Sequence, residues 1–367
     1  MSAVSETTAR IESPERRPLE EVRRGYSAFL RGDVLIAKIT PCFENGKVAH
    51  ARDLPEEVGF GSTEFHVIRP TSEVDGGYLY HLLRAPQVRL WGEGRMKGAA
   101  GQRRVPSEFL SALEIPLPPL EEQKRIARIL DEADALRAKR RESIEQLDTL
   151  LQSTFLDMFG DPVAAGWPTA TVADLAGDHR NAIRTGPFGS QLLHSEFVDE
   201  GIQVLGIDNV VSNEFRAETD RFITREKYRS LERYKVHPRD VLITIMGTCG
   251  RCAVVPDTIV EAINTKHLCC ISLNPSKCVP EFLHSYFLLH PIARKYLARS
   301  AKGAIMSGLN MGIIKSLPVP VVPIHMQREF ARLTATVRTQ KSHLRAHLAE
   351  LDTLFASLQS RAFSGEL

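Results

Sequence analysis

The sequence predicts an α+β protein in which two copies of a mixed α/β domain are separated by two long antiparallel coiled-coil helices. Three observations support this prediction. The chain repeats itself at an offset of 204 residues, each copy ends in an uninterrupted helical stretch, and short apolar strand segments dominate the rest. A length of 367 residues also exceeds one ordinary core and suits two domains.

The repeat is clearest in the C-terminal part of each copy. Over residues 119–154 the second copy follows the first without a gap. The matched positions include Pro119 with Pro323, Gln123 with Gln327, and Leu-Asp-Thr-Leu at 147–150 with the same segment at 351–354. A period this long excludes a solenoid and indicates a duplicated domain.

The repeat divides the chain into four segments. These are a first domain at residues 1–118, a first helix at 119–160, a second domain at 161–322 and a second helix at 323–367. The second domain is longer at its front, so about 40 residues have no counterpart ahead of Asp33, the position equivalent to Asp240. We expect either a start that lies upstream or a first domain that is naturally incomplete.

Residues 119–157 form one predicted helix, because after Pro119 they contain no Pro or Gly and acids occupy the first turn. Apolar residues recur at helical spacing, and in the second copy they stand seven apart, as in a coiled coil. The predicted seam residues are Ile126, Leu147, Phe330, Val337, Leu344, Leu351 and Leu358. Two arrangements of the helices are open. Each helix could pack on its own domain, or the two helices could pair antiparallel and act as a spacer between the domains, which is the arrangement we favour.

The loops between the predicted strands combine glycine with polar side chains. They lie at residues 40–47, 61–64 and 97–104 in the first copy and at 246–251, 264–267 and 302–310 in the second. Glycine permits close backbone approach, and Arg, Lys, Asn, Gln, Ser and Thr reach phosphates and base edges. Any single loop could be ordinary turn chemistry, but recurrence at matching positions favours nucleic-acid binding.

The charge totals, 47 Lys and Arg against 45 Asp and Glu, give a net charge of +2 and no hint of a nucleic-acid partner. Locally, however, residues 84–104 contain six basic residues and one acid, and residues 225–239 contain six and two. A charge run is usually a solvated face. Paired runs beside matched glycine loops instead favour nucleic acid.

Composition narrows the class further. Contents of 43% hydrophobic and 25% charged residues exclude disordered, collagen-like and disulfide-scaffold classes. The chain has six Cys, no hydrophobic signal segment and no apolar run of about 18 residues. The sequence therefore predicts a cytoplasmic protein with reduced thiols and no membrane span.

Four motifs resemble the specificity (S) subunit of type I restriction-modification systems. They lie at residues 32–47, with the sequence GDVLIAKITPCFENGK, and at 61–67, 115–123 and 185–192, the last with the sequence TGPFGSQL. The duplicated architecture matches the same family, so the resemblance covers nearly the whole chain. One departure is that the first copy lacks an equivalent of the loop at residues 186–190.

The resemblance implies two target-recognition domains that each read one half of a split double-stranded DNA sequence, with the helices acting as a ruler. It also implies that the helices dock two methyltransferase (modification) subunits and that restriction (motor-nuclease) subunits join this core. No catalytic activity or cofactor is expected in the chain itself, because S-adenosylmethionine, ATP and Mg are implied to belong to the partners.

We expect the polar loop residues to read the DNA, Arg and Lys at guanine edges or phosphates and Asn and Gln at adenine edges. The candidates in the first copy are Lys38, Asn45, Lys47, Ser62, Gln102 and Arg103. Those in the second copy are Ser190, Gln191, Thr248, Arg251, Lys266 and Asn310.

Three alternatives remain beside this hypothesis. Cys249 and Cys252 with Cys269 and Cys270 could begin a zinc ribbon, but the second pair lacks a spacer, so buried thiols and no metal site are favoured. An enzyme is disfavoured because no P-loop or base-methyltransferase loop is present. The third alternative is a coiled-coil scaffold that binds only proteins. The matched loops argue against it, because such a scaffold has no need of them.

Overall fold

The computed structural model describes residues 1–99, 101–302 and 308–367. The chain divides into two compact units, the first formed by residues 1–144 with 342–367 and the second by residues 145–341. Each unit therefore contains one globular part and a portion of both long helices. Among the residues that the structure describes, no helix is long and apolar enough to cross a membrane.

The first globular part consists of short strands followed by short helices, ahead of the first long helix. Its elements are α1 (Leu19–Val22), β1 (Tyr26–Leu30), β2 (Val34–Ala37), β3 (Val48–His50), β4 (Val58–Ser62), β5 (Phe65–Ile68), α2 (Gly76–Leu83), α3 (Pro86–Glu93) and α4 (Ser107–Ser111). The long helix α5 then extends over Leu120–Phe159. Its 40 residues correspond to about 60 Å at 1.5 Å per residue.

The second globular part repeats this order with additional strands at its front. Its elements are β6 (Thr169–Thr171), α6 (Val172–Leu175), β7 (Ile183–Thr185), β8 (Ile202–Leu205), β9 (Phe222–Ile223), α7 (Arg225–Leu231), β10 (Val241–Thr244), β11 (Cys252–Val254), β12 (Ala262–Asn264), β13 (Leu268–Ile271), α8 (Pro280–Leu289), α9 (Pro291–Lys302), α10 (Met311–Lys315) and β14 (Pro318–Pro320). The second long helix, α11, extends over Ile324–Ser364.

The central antiparallel sheets of the two units share three equivalent strands. The strand order is β3-β2-β5 in the first and β11-β10-β13-β7 in the second. Val34 lies opposite His50 and Ile68, and its counterpart Val241 lies opposite Val254 and Ile271. Every residue of the central strands β2 and β10 is buried, as expected for apolar strands covered on both faces. The predicted α+β class with a duplicated mixed domain is confirmed.

Strand β7 distinguishes the second sheet from the first. It pairs with β13, so that Thr185 lies opposite Cys269. The second unit also contains a three-stranded sheet in which β12 pairs in parallel with β8, whereas β4 in the first unit pairs antiparallel with β1. These extra strands come from the longer front of the second copy.

Aromatic side chains form the centre of the second core. Phe155 and Phe159 of α5 contact Phe282 of α8 and Phe330 of α11, with ring centroids 5.1 to 6.1 Å apart. Edge-to-face pairs at such distances add to the free energy gained from apolar burial. Both long helices are thus packed into the same apolar cluster as the globular part of this unit.

The two long helices are antiparallel where they meet inside each unit. In the second unit Phe155 packs against Phe330, and Asp148, earlier in α5, pairs with Lys341, later in α11. In the first unit Arg137 pairs with Asp352. Within each unit the helices therefore pair with each other and also pack on the globular part, so the two kinds of contact that the sequence offered as alternatives occur together.

The predicted seam coincides only partly with the buried face of the helices. Ile126, Phe330 and Val337 are buried. Leu147, Leu344, Leu351 and Leu358 are half-buried. In the last turns of α11 the buried side chains are instead Phe355, Gln359 and Ala362. The reason is that this part of α11 packs against the globular part of the first unit, which includes Tyr78 and Leu79, as well as against α5.

A buried glutamine fixes the start of each long helix. Gln123 Oε1 accepts a hydrogen bond from Asp75 N at 2.9 Å, and its Nε2 donates to Glu73 O and Pro118 O, both at 2.9 Å. The side chain is almost fully buried, so these bonds replace water. The amide thereby joins the helix to the segment that precedes α2.

Gln327 makes the same three bonds in the second unit. Its Oε1 accepts from Val279 N at 2.8 Å, and its Nε2 donates to Lys277 O at 3.2 Å and Val322 O at 2.8 Å. All four residues stand 204 positions after their counterparts. The sequence identity at this position thus reflects a conserved role in the duplicated fold.

Replacing Gln327 with Ala should lower the free energy of unfolding of the second unit by about 3 kcal/mol, because a buried N–H and two carbonyls lose their partner. Urea titration followed by Trp167 fluorescence, in a Trp91→Phe background, measures the loss. Gln340→Ala is the matched control, since Gln340 is exposed on the same helix. Equal unfolding midpoints for the two variants would contradict the assigned role.

Candidate nucleic-acid interface

The loops identified in the first copy are joined at the end of β2. Lys38 N donates to Glu64 O at 2.9 Å, and Lys38 O accepts from Val105 N at 2.8 Å. Thr40 N donates to Arg103 O at 2.9 Å. The loops that begin after β2, β4 and α3 therefore share one edge of the sheet.

The second unit repeats these two backbone bonds at the end of β10. Ile245 N donates to His267 O at 2.9 Å, and Ile245 O accepts from Leu309 N at 3.1 Å. The loops after β10 and β12 and the segment ahead of α10 are thus held together. Residues 303–307 of the last loop, which the sequence also singled out, lie outside the described residues.

A fourth loop, which follows β7, lies against the same edge in the second unit. Gly186 has no room for a side chain, because a Cβ there would lie 1.9 Å from Asn264 O and 2.4 Å from Thr265 C. Beyond it, Phe188, Gly189 and Ser190 are exposed. Glycine thus lets this loop lie directly on the backbone of the neighbouring loop.

Six of the predicted reading residues have no side-chain hydrogen bond or ion pair to another described residue. Ser190, Thr248 and Arg251 are exposed in the second unit, and Lys266 is half-exposed. In the first unit Gln102 is exposed and Lys38 is half-exposed. These side chains are available at the loop edge of each sheet.

The other predicted residues already have partners. Arg103 pairs with Glu44 at 2.7 Å, Asn45 donates to Glu6 at 3.0 Å, and Ser62 Oγ accepts from Glu64 N at 3.1 Å. In the second unit Gln191 accepts from Tyr234 at 2.7 Å, and Asn310 caps α10 through Ile313 N. Lys47 is buried and contacts Glu6 at 3.4 Å, so its ammonium is turned away from solvent.

The positive charge predicted for residues 84–104 is smaller in the structure, because acids from other segments pair with it. Arg104 forms a two-bond contact with Glu64, which holds the pKa of that carboxyl below its usual range. Arg84 pairs with Asp134 at 2.9 Å. The counted excess of six basic residues over one acid is therefore wrong as a measure of local charge.

The same correction applies to residues 225–239. Arg225 pairs with Glu261, Lys227 with Glu196 and Arg239 with Glu281. Arg229 stays exposed, and Tyr234 joins this segment to the loop at residues 186–191 through Gln191. Positive charge near the loops is thus carried by a few free cations rather than by continuous patches.

Two exposed apolar residues in the loops were missed by sequence reasoning. Phe188 is 49% exposed and Met246 is 40% exposed, each on a loop of the second unit. Large apolar side chains exposed on loops suit contact with a flat or methyl-bearing surface such as a base. A signal for the exposure of Phe188 was present in the sequence, because Phe188 lies in a loop between Pro187 and Gly189, and neither neighbour has a large side chain that could cover it.

The cysteines considered for zinc do not converge. Cys269 and Cys270 are neighbours on β13, so their side chains lie on opposite faces of the sheet, in different apolar clusters. Burial raises the pKa of Cys269 to about 12, which keeps the thiol protonated. Within the described ranges, no group of three or more His, Cys, Asp or Glu side chains could hold a metal ion.

Comparison with known proteins was made by sequence and by fold. A family model for the type I restriction modification DNA specificity domain matches residues 24–146. The EcoAI specificity subunit of Escherichia coli is 46% identical over 113 residues, which cover 30% of this chain and 19% of that protein. The EcoKI specificity subunit of Escherichia coli strain K12 is 25% identical over 355 residues, which cover 88% of this chain and 72% of that protein.

Over these stretches the chain is similar to type I restriction enzyme specificity subunits. A chain in a solved type I R-M system shares its fold with a TM-score of 0.57 at 20% identity, covering 100% of this chain and 90% of that one. The S subunit from M. genitalium gives 0.56 at 16% identity, with coverage of 91% and 83%. The family resemblance seen in the motifs is confirmed, although the EcoAI match spans only 19% of that subunit.

Replacing Gly186 with Ala should displace the loop at residues 186–191, because the new Cβ would overlap Asn264 O. We expect faster proteolytic cleavage within this loop and a loss of about 2 kcal/mol in unfolding free energy. Limited proteolysis with mass spectrometry identifies the cleaved bonds. Ser190→Ala is the control, and equal cleavage in both variants would contradict the packing argument.

Proposed function

We propose that this chain is the DNA-recognition subunit of a type I restriction-modification complex and reads a bipartite double-stranded DNA target. The observation that carries the proposal is the duplicated loop edge, in which the same two backbone hydrogen bonds join recognition loops in both units. One such edge per unit suits two half-sites. The match of residues 24–146 to the DNA specificity domain family supports the same role.

Reading is assigned to the free polar side chains of the loop edges, placed in the major groove of each half-site. Arg251, Lys266 and Lys38 would contact guanine edges or phosphates, and Gln102 an adenine edge. Ser190 and Thr248 would bond phosphates or bases. Arg103, Asn45 and Gln191 have intramolecular partners that DNA would have to displace, and Lys47, Ser62 and Asn310 have mainly structural contacts.

The long helices are proposed as the spacer that sets the distance between the half-sites. In this division the recognition domains are residues 1–118 and 161–322, and the spacer helices are residues 119–160 and 323–367. The helices would also dock two modification subunits, to which the restriction subunits are added. Catalysis, with S-adenosylmethionine, ATP and Mg, is assigned to those partners, and the complex to the cytoplasm.

Arg251→Ala should weaken binding of the assembled methyltransferase to its target by about 2 kcal/mol and relax the preference at one base pair. The reason is that Arg251 is exposed at the loop edge and its side chain has no hydrogen bond or ion pair to another described residue. Fluorescence anisotropy over a salt series measures the affinity. Arg180→Ala is the control, because Arg180 is exposed ahead of β7, at the opposite end of the sheet.

The salt series also tests the function itself. A DNA reader loses affinity steeply as salt rises and keeps its preference for one split sequence. Binding that depends on neither salt nor sequence would favour the scaffold alternative. Unchanged affinity and preference in Arg251→Ala alone would remove only that residue from the reading set.

Deleting seven residues from each helix, 138–144 together with 342–348, should shorten the spacer by about 10 Å. The heptad phase is retained, and the two deletions are repeat equivalents. Methylation of targets that differ in the distance between half-sites measures the outcome, and we expect preference for a spacer about three base pairs shorter. An unaltered spacer preference in an assembled complex would exclude the ruler role.

A further inference from the structure

The central turns of the long helices contain few buried apolar side chains. The helix residues among the buried members of the apolar clusters are Ile126, Ala127, Leu130, Ala133, Phe355 and Ala362 in the first unit and Phe155, Phe159 and Phe330 in the second. Between them, Leu344 and Leu351 are only half-buried and Leu150 is exposed. Apolar packing therefore anchors the ends of the helices and leaves the central turns to polar contacts.

In the first unit a chain of ion pairs joins the globular part to both helices. Arg84, which ends α2, donates to Asp134 of α5 at 2.9 Å. Asp134 also accepts from Arg137 at 2.7 Å, and Arg137 donates to Asp352 of α11 at 2.6 Å. The guanidinium of Arg137 lies 4.4 Å from the ring centroid of Phe355. Arg137, which forms the ion pair with Asp352 between the helices, is thus also in contact with Asp134 and with the Phe355 ring.

In the second unit one lysine makes the corresponding connection. Lys341 Nζ of α11 lies 2.6 Å from Asp148 Oδ1 of α5 and 3.2 Å from Glu214 Oε1 of the globular part. Its side chain is only 9% exposed. The neighbouring residue Asn213 is held by its carbonyl to His284 Nε2 at 3.0 Å, so Glu214 belongs to a fixed loop.

The two connections are repeat equivalents. Lys341 stands 204 residues after Arg137, and Asp352 stands 204 residues after Asp148. Each unit therefore uses the same helix position for the cation and the same position for the acid, with the helices exchanged. The aspartate of the repeated Leu-Asp-Thr-Leu segment, which no loop or core required, is explained by this contact.

We infer that Arg137 and Lys341, each with its aspartate, fix the axial register of the paired helices, and that this register sets the spacer length the protein selects. The inference rests on the proposed function. A slip of one helical turn is about 5.4 Å, which would separate both pairs and deprive the nearly buried Lys341 of one of its two acidic partners. Polar contacts of this kind specify register in paired helices even where they add little stability.

The test measures spacer selectivity, which is the methylation rate on the preferred target divided by the rate on targets one base pair longer or shorter. The chain is assembled with its modification subunits. Asp148→Lys places a like charge against Lys341 and should lower the selectivity about tenfold while target-dependent methylation persists. Adding Lys341→Glu together with Glu214→Gln restores opposite charges between the helices, removes the carboxylate that the new glutamate would otherwise face, and should recover most of the selectivity.

Glu145→Lys is the matched control, because it adds the same charge to an exposed position of the same helix and should leave selectivity unchanged. Wild-type selectivity in Asp148→Lys, or no recovery in the triple variant, would overturn the inference. Failure of the proposed function is distinguishable, because the wild-type complex itself would then methylate DNA without regard to either half-site. Circular dichroism confirms that each variant is folded.

Discussion

One buried side chain determines how each long helix leaves its globular part. Gln123 and Gln327 each satisfy one backbone N–H and two carbonyls inside the protein, where water cannot replace them. The amide is planar, so its three bonds fix both the position and the direction of the first helical turn. The contacts of the following turns, made by Ile126 and Leu130 in the first unit and by Phe330 in the second, start from that geometry.

Much of this fold could be predicted because duplication leaves a signal in the sequence that does not depend on secondary structure. The offset of 204 residues located the long helices, the matched loops and the repeated aspartate before any strand was assigned. The strands of the central sheet were indicated by short apolar segments such as residues 241–243. Loop residues converge because antiparallel strands exit the sheet at common edges.

The duplication and the local sequence patterns could not predict which charged residues pair when they lie far apart along the chain. Arg103 and Arg104 were counted as free cations, yet Glu44 and Glu64, 59 and 40 residues away along the chain, lie against them. The buried face of α11 differs from the predicted heptad seam for a similar reason. Phe355 packs on the globular part of the first unit, and a heptad pattern describes only the contact between the two helices. Local sequence gives periodicity and composition, whereas charge pairing and the choice of buried face depend on tertiary neighbours.

The loop edges are joined through main-chain atoms, as in the bonds from Lys38 and Ile245 to their neighbouring loops. Every residue except proline offers the same N–H and C=O groups, so these bonds place no demand on which side chain occupies the position. The six loop side chains that have no hydrogen bond or ion pair to another described residue therefore take no part in joining the loops. Such an arrangement lets the exposed loop residues change by substitution while the bonds between the loops stay the same, and the two copies indeed differ in these loop residues.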